Sequence, residues 1–201
     1  MAGMKGAGQT APFAFPHDMK AISTPDYPGK HYGPVLVIGS AWNAKEDVAG
    51  AKQFYPKAPC CGINRTVAHF ECKFMVSVDR PQAEAWKESS LSNVELHGGR
   101  FGAKGGPEAY PWFDYWWPEL QSGGTSVWLA CKIMAAIGFA PIIVCGAPLE
   151  RGPYLDGDDD WSHRNDDELK AYREAWRRET YMHPIVRSMS GWTRELLGCA
   201  T

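Results

Sequence analysis

The stretch "TSVWLACKIMAAIGFAPIIVCG", Thr125 to Gly146, decides the fold. Its first part, Thr125 to Gly138, reads as a helix. Thr125 can cap its start and Gly138 can end it. The helix is apolar almost all round, and such a helix is buried rather than laid on a surface. "PIIVCG" (Pro141 to Gly146) follows at once. It is a short, wholly apolar run bounded by glycine, the pattern of a strand covered on both faces.

Working outward, the same signals recur. "PVLVIG" (Pro34 to Gly39) is a second apolar strand, and "NAKEDVAGAKQF" after it has helical character with Asn43 as its N-cap. "PCCGIN", "CKFMVSVD" (Cys72 to Asp79) and "VELHGG" read as further strands. "PQAEAWKES" opens with Pro81 at a first helical position. Gly98 to Ser122, including "YPWFDYWWPEL", reads as a long loop. "NDDELKAYREAWRRET" is an amphipathic helix with Leu169, Tyr172 and Trp176 on one stripe. "PIVRSMSGWTRELLG" gives a last strand and a short helix. Apolar strands alternating with helices predict a single α/β domain over residues 33–201, Rossmann-like, with a mostly parallel sheet and helices on both faces.

Residues 1–32 are rich in Gly, Pro and Ala without a period. They predict an extended arm, poorly ordered unless it docks on the body or on a partner, such as a second copy or an assembly partner. The arm has no continuous apolar run, so neither a signal peptide nor a membrane anchor is expected. The net charge of -2 gives no electrostatic footprint for nucleic acid. None of the six cysteines forms a C-x-x-C pair, so the zinc signal is poor, and those in apolar segments read as small hydrophobes. A cytoplasmic, reduced protein is the expectation.

Open parallel sheets bind ligands beyond the carboxyl ends of their strands. The residues expected there are Gly39, Ser40 and Asn43 after the first strand, Asn64 after the second, Asp79 after the third, and Gly146 before the acidic loop. The turn "SGGTS" precedes the buried helix, whose N-terminus favours phosphate. Gly123 and Gly124 would let a ligand approach the backbone there, beside Thr125 and Ser126. No G-x-x-x-x-G-K-[ST] occurs, and no G-x-G-x-x-G follows the first strand, so a P-loop and a standard dinucleotide fingerprint are absent.

"DGDDDWSHRNDDELK" holds the remaining chemistry. Asn165 with Glu168 makes a capping-box start, and Asp166, Asp167 and Glu168 suit the positive end of the helix. Asp156, Asp158, Asp159 and Asp160 offer oxygens to a hard cation but do not match the EF-hand pattern, and no metal is expected. His163 falls on the ligand side, where an imidazole needs little perturbation to act as a base. His183, before Pro184 at a strand start, should lie at the opposite end of the sheet.

The order of these features resembles the bacterial sialyltransferases of glycosyltransferase family 42. It also resembles the related Rossmann-like group that includes the archaeal 6-hydroxymethylpterin diphosphokinases. The resemblance covers roughly residues 34–190, and it is carried by "CCGINRTVAHFECKFMVSVD", "GGTSVWLACKIMAAIGFAPIIVCGAPL" and "HRNDDE". It implies that Ser40, Asn43 and Asn64 hold a nucleotide donor, that Thr125 or Ser126 contacts it, and that His163 is the general base. Asp79 stands where those enzymes have an amide. They steady the leaving phosphate with two tyrosines. Tyr154 matches one, and Glu150 stands at the other. Nucleotide or phosphorylated-ligand binding is therefore the inheritance expected here.

The expectation is a metal-independent transferase with a nucleotide or nucleotide-sugar donor, in which Tyr154, Trp161 or the aromatic loop stacks a base or sugar. The alternatives are a non-catalytic nucleotide-binding protein and a viral structural or assembly protein on the same fold.

Overall fold

The computed structural model describes residues 27–100, 113–157 and 166–200. Seven strands form one sheet: β1 (Val35–Ile38), β2 (Cys60–Ile63), β3 (Phe74–Ser77), β4 (Glu95–Arg100), β5 (Tyr115–Gln121), β6 (Ile142–Cys145) and β7 (Val186–Ser188). Their order is β5-β4-β3-β2-β1-β6-β7 and every pairing is parallel. Five helices accompany them: α1 (Ala44–Phe54), α2 (Arg80–Glu88), α3 (Ser126–Ala136), α4 (Asp166–Arg178) and α5 (Gly191–Leu197). This is the α/β, Rossmann-like architecture expected from the alternation of elements.

Successive strand residues face opposite sides of the sheet, so a strand buried on both faces must be apolar throughout. In β1, Val35 and Val37 pack into one core with α3, Trp176 of α4 and Trp192 of α5. Leu36 and Ile38 pack into the other core with Ala44 and Ala51 of α1 and Ala83 of α2. Helix α3 lies across the middle of the first face and touches β1, β2, β3, β5 and β6. That placement buries it from Val127 to Ala135, as its sequence requires. The Thr125 hydroxyl accepts from the Trp128 amide, and Gly138, with φ of +107°, follows the C-cap residue Ile137. Both caps stand where the sequence put them.

The expected loop from Gly98 to Ser122 is corrected: it contains β5. Pro118 hides the strand from a sequence reading, because proline lacks the amide a central strand needs. Among the described residues β5 is an edge strand paired with β4 alone, where one side of the ladder is unused. The register slips between Gly99 and Arg100. A Cβ on Gly98 would sit 2.5 Å from the Phe113 ring, so glycine here makes room for the aromatic chain beside it.

The end of the expected arm lies against the body. The His31 amide donates to the Ile137 carbonyl at 2.8 Å, and the His31 ring stacks on Phe139 at 4.8 Å. Tyr27 meets Tyr115 edge-on and donates its hydroxyl to Glu95 Oε2 at 3.0 Å. Phe74, Glu95 and Tyr115 each begin a strand, so this segment crosses the N-terminal ends of β3, β4 and β5. All six cysteines are reduced, and all but Cys199 are buried. Among the described residues, no helix is long and apolar enough to cross a membrane.

Candidate functional site

The strand order turns back at β1. From there β2 to β5 run to one side and β6 and β7 to the other. Such a reversal opens a crevice at the carboxyl ends of the two central strands. A cavity of about 210 Å³ lies there. It is lined by Gly39 and Ser40 after β1, Asn64 after β2, and Asp79 after β3. Gly124, Thr125 and Ser126 line it from the start of α3, and Gly146 and Tyr154 from the segment after β6. The topology thus brings most of the residues expected at the rim into one place. Ile63, Val78, Val127, Ala147, Leu149 and Tyr172 complete the wall. Tyr172, which the sequence places on the α4 stripe with Leu169 and Trp176, has its ring beside Gly124.

The walls differ in chemistry. Helix geometry leaves the first amides of α3 without intrahelical acceptors. Thr125 Oγ1 accepts from the Trp128 amide and from the Trp176 indole N–H, each at 3.2 Å. With two donors already bound, its hydroxyl has only its own hydrogen left to offer. The wall at α3 is therefore rich in donors. On the β2–β3 side, Asn64 donates Nδ2 to Asp79 Oδ2 at 2.6 Å. Asn64 has a φ of +52° and opens a 3-10 turn over Asn64–Ala68. Among the described residues Asp79 supplies the one carboxylate of the lining, and no Lys or Arg lines the cavity.

The glycines serve the protein's own packing. A Cβ on Gly39 would sit 2.5 Å from the Gly146 carbonyl oxygen, and one on Gly146 would sit 2.5 Å from Ala44 Cβ. The ends of β1 and β6 approach too closely for side chains. Gly123 and Gly124 were expected to admit a ligand. Both have positive φ, and a Cβ would meet Trp128 at the first and Tyr172 at the second. The indole and the phenol already fill that space. Gly123 lies beside the cavity without lining it.

Asn43 occupies the N-cap position of α1, but its side chain caps nothing. It donates to Ser190 Oγ at 2.5 Å and to Asp47 Oδ2 at 3.3 Å, and it is not among the residues lining the cavity. Through these two bonds it braces α1 against the loop before α5. Asp47, an acid in the first turn of a helix, carries no sequence signal for such a role. It is buried and accepts from the Gly146 amide at 2.8 Å and from Ser190 Oγ at 2.6 Å. Burial raises its pKa, and these two hydrogen bonds oppose the rise.

The segment after β6 folds back over the loop after β1. Leu155 donates its amide to the Ser40 carbonyl, and Ala41 and Tyr154 form an antiparallel bridge. Arg65 holds this strap, with its guanidinium 2.9 Å from Asp156 and 4.5 Å above the Tyr154 ring. Glu150 accepts from the Trp192 amide at 2.8 Å and so caps the start of α5. His183 precedes β7 at the opposite end of the sheet and meets the Trp176 carbonyl at 2.9 Å. Trp161, His163 and Asn165 lie outside the described residues, as do Asp158, Asp159 and Asp160. Among the described residues no cluster of His, Cys, Asp and Glu is arranged to hold a metal ion.

Comparison of the chain with protein-family models, with characterised proteins and with solved structures finds no match.

Proposed function

We propose that the cavity at the β1/β6 reversal binds a nucleotide and that the protein is a transferase using a nucleotide-activated donor. The observation carrying this reading is the cavity's two-sided chemistry at a topological switch point. One wall presents the amides and hydroxyls at the start of α3, and the facing wall presents Asn64 and Asp79. Helix N-termini favour phosphate. Tyr154 and Tyr172 supply aromatic surface for a base or sugar. The likeness to sialyltransferases agrees with this placement. His163 is the proposed general base. It takes the proton of an acceptor hydroxyl, whose oxygen bonds to the donor carbon as the nucleotide leaves with the bonding pair.

The test is a thermal-shift panel of nucleotides and nucleotide sugars, with and without Mg²⁺. A ligand at a hundred times its Kd stabilises by about 2.7 kcal/mol, a rise of roughly 5–10 °C for a chain of this size. The expected result is a pyrimidine-nucleotide shift that is independent of Mg²⁺. His163→Ala should abolish transfer and keep the shift. No shift with any nucleotide overturns the reading.

The position of Glu150 favours a second reading, nucleotide binding without catalysis. Its carboxylate is engaged at α5, so no second tyrosine stands there to steady a leaving phosphate. Binding without turnover, unaffected by His163→Ala, selects that reading.

A further inference from the structure

We propose that Asp79 reads a vicinal pair of hydroxyls, so that the site takes a ribonucleotide in preference to its 2′-deoxy counterpart. The proposal rests on the nucleotide reading above and adds the sugar that the site selects.

Among the described residues Asp79 is the one carboxylate in the lining, and no cationic side chain lines the cavity with it. An ionised carboxylate only accepts hydrogen bonds and has about four lone-pair directions. Asn64 fills one of these from Nδ2, on Oδ2, and holds the group in place. Asp79 is fixed from behind as well, since its amide donates to Ser77 Oγ at 3.0 Å. Its side chain caps no amide of α2, although Asp79 is the N-cap residue. Asp79 lines the cavity, and its Oδ1 takes no hydrogen bond from a donor among the described residues.

A fixed carboxylate of this kind repels phosphate and accepts from paired donors. The phosphate is thereby directed to the start of α3, where amides and hydroxyls donate. The hydroxylated part of the ligand then falls to Asp79. Two adjacent hydroxyls can donate to the two carboxylate oxygens together, and a sugar lacking one of them leaves an acceptor unmatched.

The experiment is calorimetric titration of CMP, 2′-deoxy-CMP, UDP and 2′-deoxy-UDP into the wild-type protein, Asp79→Asn and Asp79→Ala. Asp79 is exposed, so circular dichroism should show both variants folded. In the wild type the deoxy form should bind roughly tenfold more weakly, or worse. In Asp79→Ala the two forms should agree within about twofold, because the acceptor is gone. Asp79→Asn keeps one acceptor oxygen and should fall between. Equal binding of ribo and deoxy forms to the wild type overturns the proposal and leaves the nucleotide reading standing. An undiminished preference in Asp79→Ala also overturns it. Failure of all four ligands to bind removes the nucleotide reading, and this proposal with it.

Discussion

The carboxylate of Asp47 on α1 accepts the backbone N–H of Gly146, at the end of β6, across 2.8 Å. One side chain thereby ties the first helix to the loop that forms the cavity's edge. Ser190 and Asn43 donate to the same carboxylate oxygen. Asp47→Ala leaves a buried amide without its acceptor and should cost about 1–3 kcal/mol in urea unfolding. Asp47→Asn keeps an acceptor oxygen and should stay within about 1 kcal/mol of the wild type at pH 7. The folded pKa is raised, so the stability this group contributes is present below its unfolded value and lost as pH rises through the folded value. Asp47→Asn should therefore show less loss of stability than the wild type as pH rises from the acid range.

Thr125 joins α3 to α4, because its hydroxyl accepts both the Trp128 amide and the Trp176 indole. The two indoles stack with centroids 4.3 Å apart. Thr125→Ala removes a cap worth about 1 kcal/mol and strands a largely buried indole N–H, for a total of roughly 2–3 kcal/mol. Thr125→Ser should recover most of this. Chemical denaturation followed by tryptophan fluorescence measures both.

Lys132 is buried and donates to the Gln121 carbonyl at 2.9 Å and to Glu179 at 2.8 Å. Glu179 also accepts from the Trp128 indole at 2.7 Å. Removing the carboxylate alone strands a buried ammonium, so Glu179→Ala should cost about 3–5 kcal/mol. Lys132→Met combined with Glu179→Ala should cost clearly less than the sum of the single changes. Additive losses would show that the two charges are not coupled.

His97 is fully buried, and its Nδ1 accepts from the Trp117 indole at 3.1 Å. The indole only donates, so the proton of neutral His97 sits on Nε2. Nε2 lies 3.8 Å from Glu95, too far for a hydrogen bond, and burial lowers the His97 pKa. This pair is therefore not an ion pair at neutral pH. Below about pH 6.5 the unfolded chain takes a proton that the folded His97 resists, so stability falls with pH from there down to the lowered folded value. The His31 pKa is lowered too, chiefly by burial, with the same sign. The Glu95 pKa is lowered first by the neighbouring His97 and then by the Tyr27 hydroxyl, against burial, so a second loss follows in the acid range below the ordinary carboxylate value. His97→Gln, which keeps an acceptor for Trp117, should flatten the fall in stability as pH drops below about 6.5. An unchanged slope would show that His97 does not govern it.

Much of the fold was legible because its signals are local. Val35 to Ile38 and Ile142 to Cys145 are apolar at every position, and only a strand covered on both faces needs that. Thr125 and Gly138 mark the helix between β5 and β6 by cap chemistry that acts within one turn. β5 was illegible because Pro118 reads as a breaker until the strand is known to lie at an edge. Ser40, Asn64 and Asp79 line the cavity together because each follows a strand, and parallel strands deliver their ends to one rim. Asn43 also follows β1, yet its amide is bonded to Ser190 and Asp47 and it does not line the cavity, since position after a strand does not fix where a side chain points.

The sequence by itself determined the alternation of buried strands and helices, the caps of α3 and the side of the sheet on which polar residues gather. Tertiary structure alone decided the strand order, and with it the reversal between β1 and β6 that opens the cavity. It also decided that Asp47 reaches Gly146, that Glu150 caps α5, and that Gly124 makes room for Tyr172. The physical reason is range. Periodicity and capping act over a few residues and are written in neighbouring letters. Hydrogen bonds and packing between distant segments depend on which strands lie side by side, and that is settled only when the whole sheet closes over its two cores.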